Sequence, residues 1–327
     1  MTKIKKSAII CFALLASAFY AAAQQDAQYS QYMFNSLVIN PAYAGYKESL
    51  NLSALHRTQW VGFEGAPKTQ SIVLDGSFNN DKVGLGLSIV NDKIGLQGQT
   101  NAYFNYAYRL KVGQNSTLAL GLGVGIAQFT LNNSDANFED PSDPNFGGGR
   151  LSFIAPDART GVHFSSDKFY AGLSTTNLFS QVIDYSSATK NLVVKQGRHI
   201  FLTAGYLFDI TDFLKFKPSF LIKEDTKGPT NLDINNFFLL GERVWIGASY
   251  RTSVNIWKKN SVIGSVNSAN AAVGMLEVYA GKGFRLGYAY DYSVSSIRGF
   301  DNGSHEISIG YNLSARKDYR ILSPRYF

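Results

Sequence analysis

Cysteine is almost missing: among 327 residues there is one, Cys11. It sits in a segment expected to be removed on export and lacks the Leu and small-residue context of a lipoprotein cleavage site. The mature chain therefore has no thiol, which excludes disulfides and cysteine-ligated metal. Long apolar runs are missing too. After residue 23 nothing approaches the roughly 18 consecutive apolar residues of a spanning helix, so the chain is either soluble or crosses a membrane as strands. Lys/Arg blocks are also lacking. Taking away Lys3, Lys5 and Lys6 leaves 28 of the 31 basic residues against 24 acidic ones, an excess of four without the clustered patch of a nucleic-acid binder. Proline (8) and methionine (3) are scarce, whereas Tyr (19), Phe (23) and Gly (30) are plentiful. Abundant aromatics and glycines with a mean hydropathy of -0.09 suit a β-protein in a membrane.

The chain opens as an exported one. Three lysines precede an apolar run from Ala8 to Tyr20 that ends in Ala21, Ala22 and Ala23. This reads as a signal peptide over residues 1–23, cleaved to start the mature protein at Gln24.

Period-2 alternation dominates the rest. Ala102, Phe104, Tyr106, Tyr108, Leu110 and Val112 oppose Asn101, Tyr103, Asn105, Ala107, Arg109 and Lys111. In the following segment Leu118, Leu120, Leu122, Val124 and Ile126 oppose a face of Ala and Gly. The pattern predicts an all-β chain of about 14 strands, near 48–58, 70–79, 82–91, 99–112, 116–130, 157–165, 168–178, 198–209, 213–224, 229–239, 243–253, 270–280, 284–294 and 304–314, with ends uncertain by roughly 2 to 4 residues. Short connections such as Asn79–Asp81 and Leu240–Glu242 alternate with long ones such as Leu131–Arg150, Phe179–Gly197 and Val254–Ala269. That is the expectation for a transmembrane antiparallel barrel with short periplasmic turns and longer extracellular loops. An even strand count returns both ends of the barrel, 48–314, to one side. The competing architecture, a soluble sandwich, would bury its aromatics between two sheets.

Several residues follow from the barrel reading. Aromatics near strand ends, Trp60, Phe63, Tyr106, Tyr108, Trp257 and Tyr288, are candidates for interfacial girdles. Arg57, Arg109, Arg159, Arg251 and Asp291 fall on predicted strands, where facing lipid would cost roughly 2–4 kcal/mol each, so they are candidate lumen charges. Either they pair with one another or with Glu277 to stiffen the barrel, or they meet cargo. Pro218 interrupts a strand that has no free edge, which predicts a bulge. The turn-like run Asn40–Gly45 makes residues 24–47 a strap across the periplasmic mouth, a plug in the lumen or a simple entry turn.

Chemistry-bearing motifs are weak. His305-Glu306 lacks a second histidine four residues on, and neighbours on a strand point to opposite faces, so a zinc site is not expected. Gly121, Gly123 and Gly125 alternate with Leu122 and Val124 instead of opening a helix, which makes them a small-residue face and not a phosphate loop. The acids of residues 132–150 lack calcium-loop spacing and read as a solvated outer loop. No Gly-x-Ser-x-Gly elbow occurs. No enzyme activity, cofactor, metal or nucleic-acid partner is expected.

The mature N-terminus resembles a known family. Gln28-Tyr29-Ser30-Gln31-Tyr32-Met33-Phe34-Asn35 and Asn40-Pro41-Ala42-Tyr43-Ala44-Gly45 look like the opening signature of the PorP/SprF proteins. The likeness continues through His56–Trp60, Asp167–Ser174, Gly247–Arg251, Gly287–Asp291 and Ser304–Ile307 to the tail Ser323–Phe327. It implies an outer-membrane component of the type IX secretion and gliding system of Bacteroidota. The expected partners are outer-membrane lipid, a secreted adhesin with a type B C-terminal signal, and periplasmic secretion components. The alternative is a passive channel or hydrophobic-solute transporter. Residues 315–327 are expected to form a periplasmic tail.

Overall fold

The computed structural model describes residues 27–132, 149–179, 197–225, 228–254, 256, 269–280, 283–295 and 297–313. The proposed signal peptide, the tail 315–327 and Trp257 lie outside the described residues. The strands are β1 (Asn51–Thr58), β2 (Lys68–Phe78), β3 (Val83–Ile94), β4 (Gln97–Lys111), β5 (Thr117–Asn132), β6 (Arg150–Ser165), β7 (Phe169–Thr176), β8 (His199–Tyr206), β9 (Phe208–Asp209), β10 (Leu214–Asp225), β11 (Thr230–Leu240), β12 (Val244–Val254), β13 (Ala269–Ala280), β14 (Phe284–Ser293) and β15 (Ser304–Asn312). Only Leu207 separates β8 from β9, and both pair with β10, so the two form one stave. Each stave pairs antiparallel with its neighbours in the chain, and β15 pairs with β1. The sheet is thus a closed barrel of fourteen staves, which pairs its backbone without leaving an edge in lipid.

Alternation places the residues. On β4, Phe104, Tyr106, Tyr108 and Leu110 are exposed on the outer wall, while Tyr103, Asn105, Ala107 and Arg109 are buried. On β5, Leu120, Leu122, Val124 and Ile126 face out, and Ala119, Gly121 and Gly123 face in. At the short-turn end, Phe78, Tyr108, Phe169, Tyr206, Phe208, Phe213 and Phe284 form an exposed aromatic band. In and beside it Tyr206 meets Phe208 at 4.6 Å, Phe216 meets Phe238 at 4.9 Å and Phe284 meets Tyr311 at 4.4 Å. Such a band suits the membrane–water boundary.

Three details differ from the sequence expectation. Pro218 causes no bulge: Phe216↔Phe208 and Ser219↔Gly205 keep one register on either side of it. The missing N–H leaves a gap between β8 and β9 instead, while pairing with β11 runs unbroken through Pro218↔Asn236. Among the described residues a register shift lies instead at Arg251/Thr252, where β12 pairs with β13. Second, β6 begins at Arg150, because residues 150–156 pair with 126–132 in a hairpin whose early residues, Arg150 to Ser152, are all exposed. With no buried face there is no alternation to read. Third, the connection from β3 to β4, at the long-loop end, is only Gly95 and Leu96, and Gly95 takes the left-handed φ of 54° that such a tight turn requires.

Candidate functional site

The lumen is the candidate site, and the chain's own N-terminal segment fills it. Tyr29, Tyr32, Met33, Phe34, Leu37, Val38 and Ile39 are all buried and form the core with inward residues such as Phe237, Trp245 and Met275. The segment is not a periplasmic strap. It runs lengthwise from Tyr29 and Ser30 at the long-loop mouth to Ala44 and Gly45, which lie against Gly76, Ser77 and Gly84 beside the β2–β3 turn. Two 3-10 turns, Ser36–Val38 and Pro41–Tyr43, keep it compact. Asn40 caps the second by accepting the Ala42 N–H at 2.9 Å, and Pro41 occupies the first position, where its missing donor does no harm.

Each candidate arginine reaches this plug. Arg57 Nη1 donates to Ser30 Oγ at 3.0 Å, and Arg251 Nη2 to the Tyr29 carbonyl at 3.2 Å. Arg159 Nη1 donates to the Val38 carbonyl at 2.9 Å, and Arg109 Nη1 to the Gly45 carbonyl at 2.5 Å. Further donors of the four meet the wall or the approach to β1, while Arg57 Nε is buried without a partner. Arg57 bridges Asp291 (2.7 Å) and Glu306 (3.1 Å), and Arg251 bridges Asp233 (2.9 Å) and Asp291 (3.4 Å). Arg159 binds Ser88 and Asn105, and Arg109 binds Glu48. Asp291 also accepts from Ser30 Oγ at 2.7 Å, and the two oxygens of Glu306 accept the Ser30 and Gln31 amides at 2.9 and 2.7 Å. Glu277 faces Arg285 at 3.8 Å and none of the four candidate arginines among the described residues. Buried charges held this way are paired and hydrogen-bonded, as a low-dielectric interior demands.

Glycines make the seat. A Cβ on Gly84 would stand 1.8 Å from the Ala44 carbonyl oxygen, one on Gly121 would stand 2.1 Å from Ala42 N, and one on Gly161 would stand 2.2 Å from Asn40 Oδ1. Three cavities bordering the plug among the described residues measure about 10, 10 and 30 Å³, room for a water and not for a solute. Above it, at the long-loop mouth, opens a vestibule of about 450 Å³ whose floor includes Arg57, Arg251 and Asp291.

The aromatic candidates divide. Tyr106, Tyr108 and Tyr288 face outward, Tyr288 sharing a 2.7 Å hydrogen bond with His305 Nδ1, and Phe63 is exposed on the β1–β2 loop. Trp60 departs from the girdle: it lines the vestibule, with a φ of 49°. Sequence reasoning missed Glu306, Asp233 and Ser30. Alternation with His305 puts Glu306 on the inner face, but nothing local says that its partners are plug amides.

The profile for "Type IX secretion system membrane protein PorP/SprF" matches residues 21–311. The chain belongs to the PorP/SprF family. Both plug motifs and all four arginines fall within that match. Among curated proteins none matches. Solved structures that resemble this PorP/SprF chain include the Ralstonia pickettii toluene transporter TbuX (TM-score 0.50, 10% identity, 85% of this chain and 92% of that one). They also include the Acinetobacter baumannii outer membrane protein Omp33 (0.45, 8%, 81% and 99%) and a Pseudomonas aeruginosa FadL homologue (0.42, 9%, 81% and 89%). At these identities the likeness to TbuX speaks for an outer-membrane barrel fold and nothing more.

Proposed function

We propose that this PorP/SprF protein is a non-enzymatic component of the type IX secretion and gliding system in the outer membrane of a member of the Bacteroidota. In this reading it binds, anchors or helps export a surface adhesin with a type B C-terminal signal and couples to the periplasmic machinery. Family membership supports the system, and one structural observation favours docking over conduction: the lumen is packed along its length by residues 29–46. The surfaces left for work are the two mouths and the rim, where partners of a barrel dock. A clean deletion is expected to abolish adhesin display on the cell surface. Normal display together with a small-solute uptake defect would count against the proposal and for a passive channel or hydrophobic-solute transporter, a reading that only the open vestibule favours.

A further inference from the structure

We propose that the vestibule is a binding site for a neutral, hydroxyl-rich ligand, a short glycan segment stacked on Trp60. This is independent of the secretion role.

The described lining suits the other ligand classes poorly. Among the described residues its charges are balanced, with Arg57 and Arg251 against Asp92 and Asp291. Both arginines are already bound to carboxylates, Arg57 to Asp291 and Glu306, Arg251 to Asp233 and Asp291. A phosphate or sulfate would have to break these bridges. An apolar solute fits no better, because one wall is a hydrogen-bonded row of amides and hydroxyl. Asn270 Nδ2 donates to Ser253 Oγ at 2.9 Å and to Asn231 Oδ1 at 3.1 Å, and Ser253 Oγ donates to Asn231 Oδ1 at 3.2 Å. A peptide that binds as an added strand needs a sheet edge, and the closed barrel offers none.

Trp60 supplies the positive argument. A bulky residue at φ 49° is a true outlier, and this one is held across two loops. Its backbone N–H donates to Ser304 Oγ at 3.1 Å, the Val61 N–H to the Gly303 carbonyl at 2.8 Å, and the Asn302 N–H to the Val61 carbonyl at 2.7 Å. Backbone strain kept in place by its surroundings marks functional positions. Here it places Trp60 in the lining of a cavity of about 450 Å³, within the roughly 300–1,000 Å³ of small-ligand sites. An indole face accepts the C–H face of a pyranose ring, and a wall of amides, hydroxyls and a carboxylate takes its hydroxyls. The usual orientation of barrels opens this mouth to the cell exterior, where glycans are met.

The test uses the full mature chain in lauryldimethylamine oxide, since sugar-headed detergents carry the same chemistry. Neutral malto-, cello- and manno-oligosaccharides are compared by saturation-transfer NMR with oligogalacturonate and with a short-peptide library. Binding of a neutral oligosaccharide is expected, weakened about tenfold by Trp60→Ala and kept within about threefold by Trp60→Phe, while both variants keep the heat-modifiable migration of a folded barrel. Intact lipopolysaccharide run beside its released polysaccharide separates the sources: binding of the former alone means a membrane-held glycan, and binding of both means that free glycan suffices. No binding of any neutral sugar or lipopolysaccharide preparation, equal binding by Trp60→Ala, or binding confined to oligogalacturonate or peptides overturns the proposal.

Discussion

Arg57 carries one guanidinium into a lipid-embedded barrel and meets three partners there, Asp291 and Glu306 on the wall and Ser30 on the plug. Arg57→Met leaves buried Glu306 without its cation and Asp291 with Arg251 alone, an expected loss of about 3–5 kcal/mol that thermal unfolding in detergent measures. A variant as stable as the parent would mean that the network contributes little. The glycine seat gives a paired test. Gly84→Ala drives a methyl group into the Ala44 carbonyl and is expected to cost about 1–3 kcal/mol, whereas Gly274→Ala, with nothing within 4 Å, should be silent. Alternation was enough to point the arginines and Asp291 inward. It is silent about their plug partners, because these, the Ser30 hydroxyl and the carbonyls of Tyr29, Val38 and Gly45, lie in a segment with no period of its own.

At the scale of the strand, legibility follows burial. Where one face is buried and the other is not, as on β4, β5, β11 and β14, the period of 2 locates the strand within a few residues. Where both faces are exposed, as in the first residues of β6, the signal vanishes and the strand reads as loop. Pro218 is a third case, in which the local rule asks for a bulge and the barrel tolerates a missing bond without shifting register. Pro218→Val restores that donor and is expected to stabilise the barrel by about 1 kcal/mol. Hydrogen exchange should then show new protection at residue 218; an unprotected amide there would contradict the gap described between β8 and β9.

For the whole molecule, the direction of the plug sets the topology. Because Tyr29 lies at the long-loop mouth and Gly45 at the short-turn mouth, the chain traverses the lumen once before β1 begins. An epitope inserted before Ala27 is therefore expected to react with antibody from the same side as one in the β14–β15 loop, and one at Asn80 from the opposite side. Labelling of the Ala27 and Asn80 sites from a common side would reverse the threading. The sequence signature at Gln28–Gly45 announced something distinctive but left strap, plug and entry turn open, since only the folded barrel reveals the glycines that receive it.

The account rests on a sealed lumen, and single-channel recording in planar bilayers tests that most directly. The intact mature chain is expected to give a flat trace, and the same chain lacking residues 27–45, where it inserts, is expected to give discrete open steps. Large, stable steps from the intact chain would contradict the account.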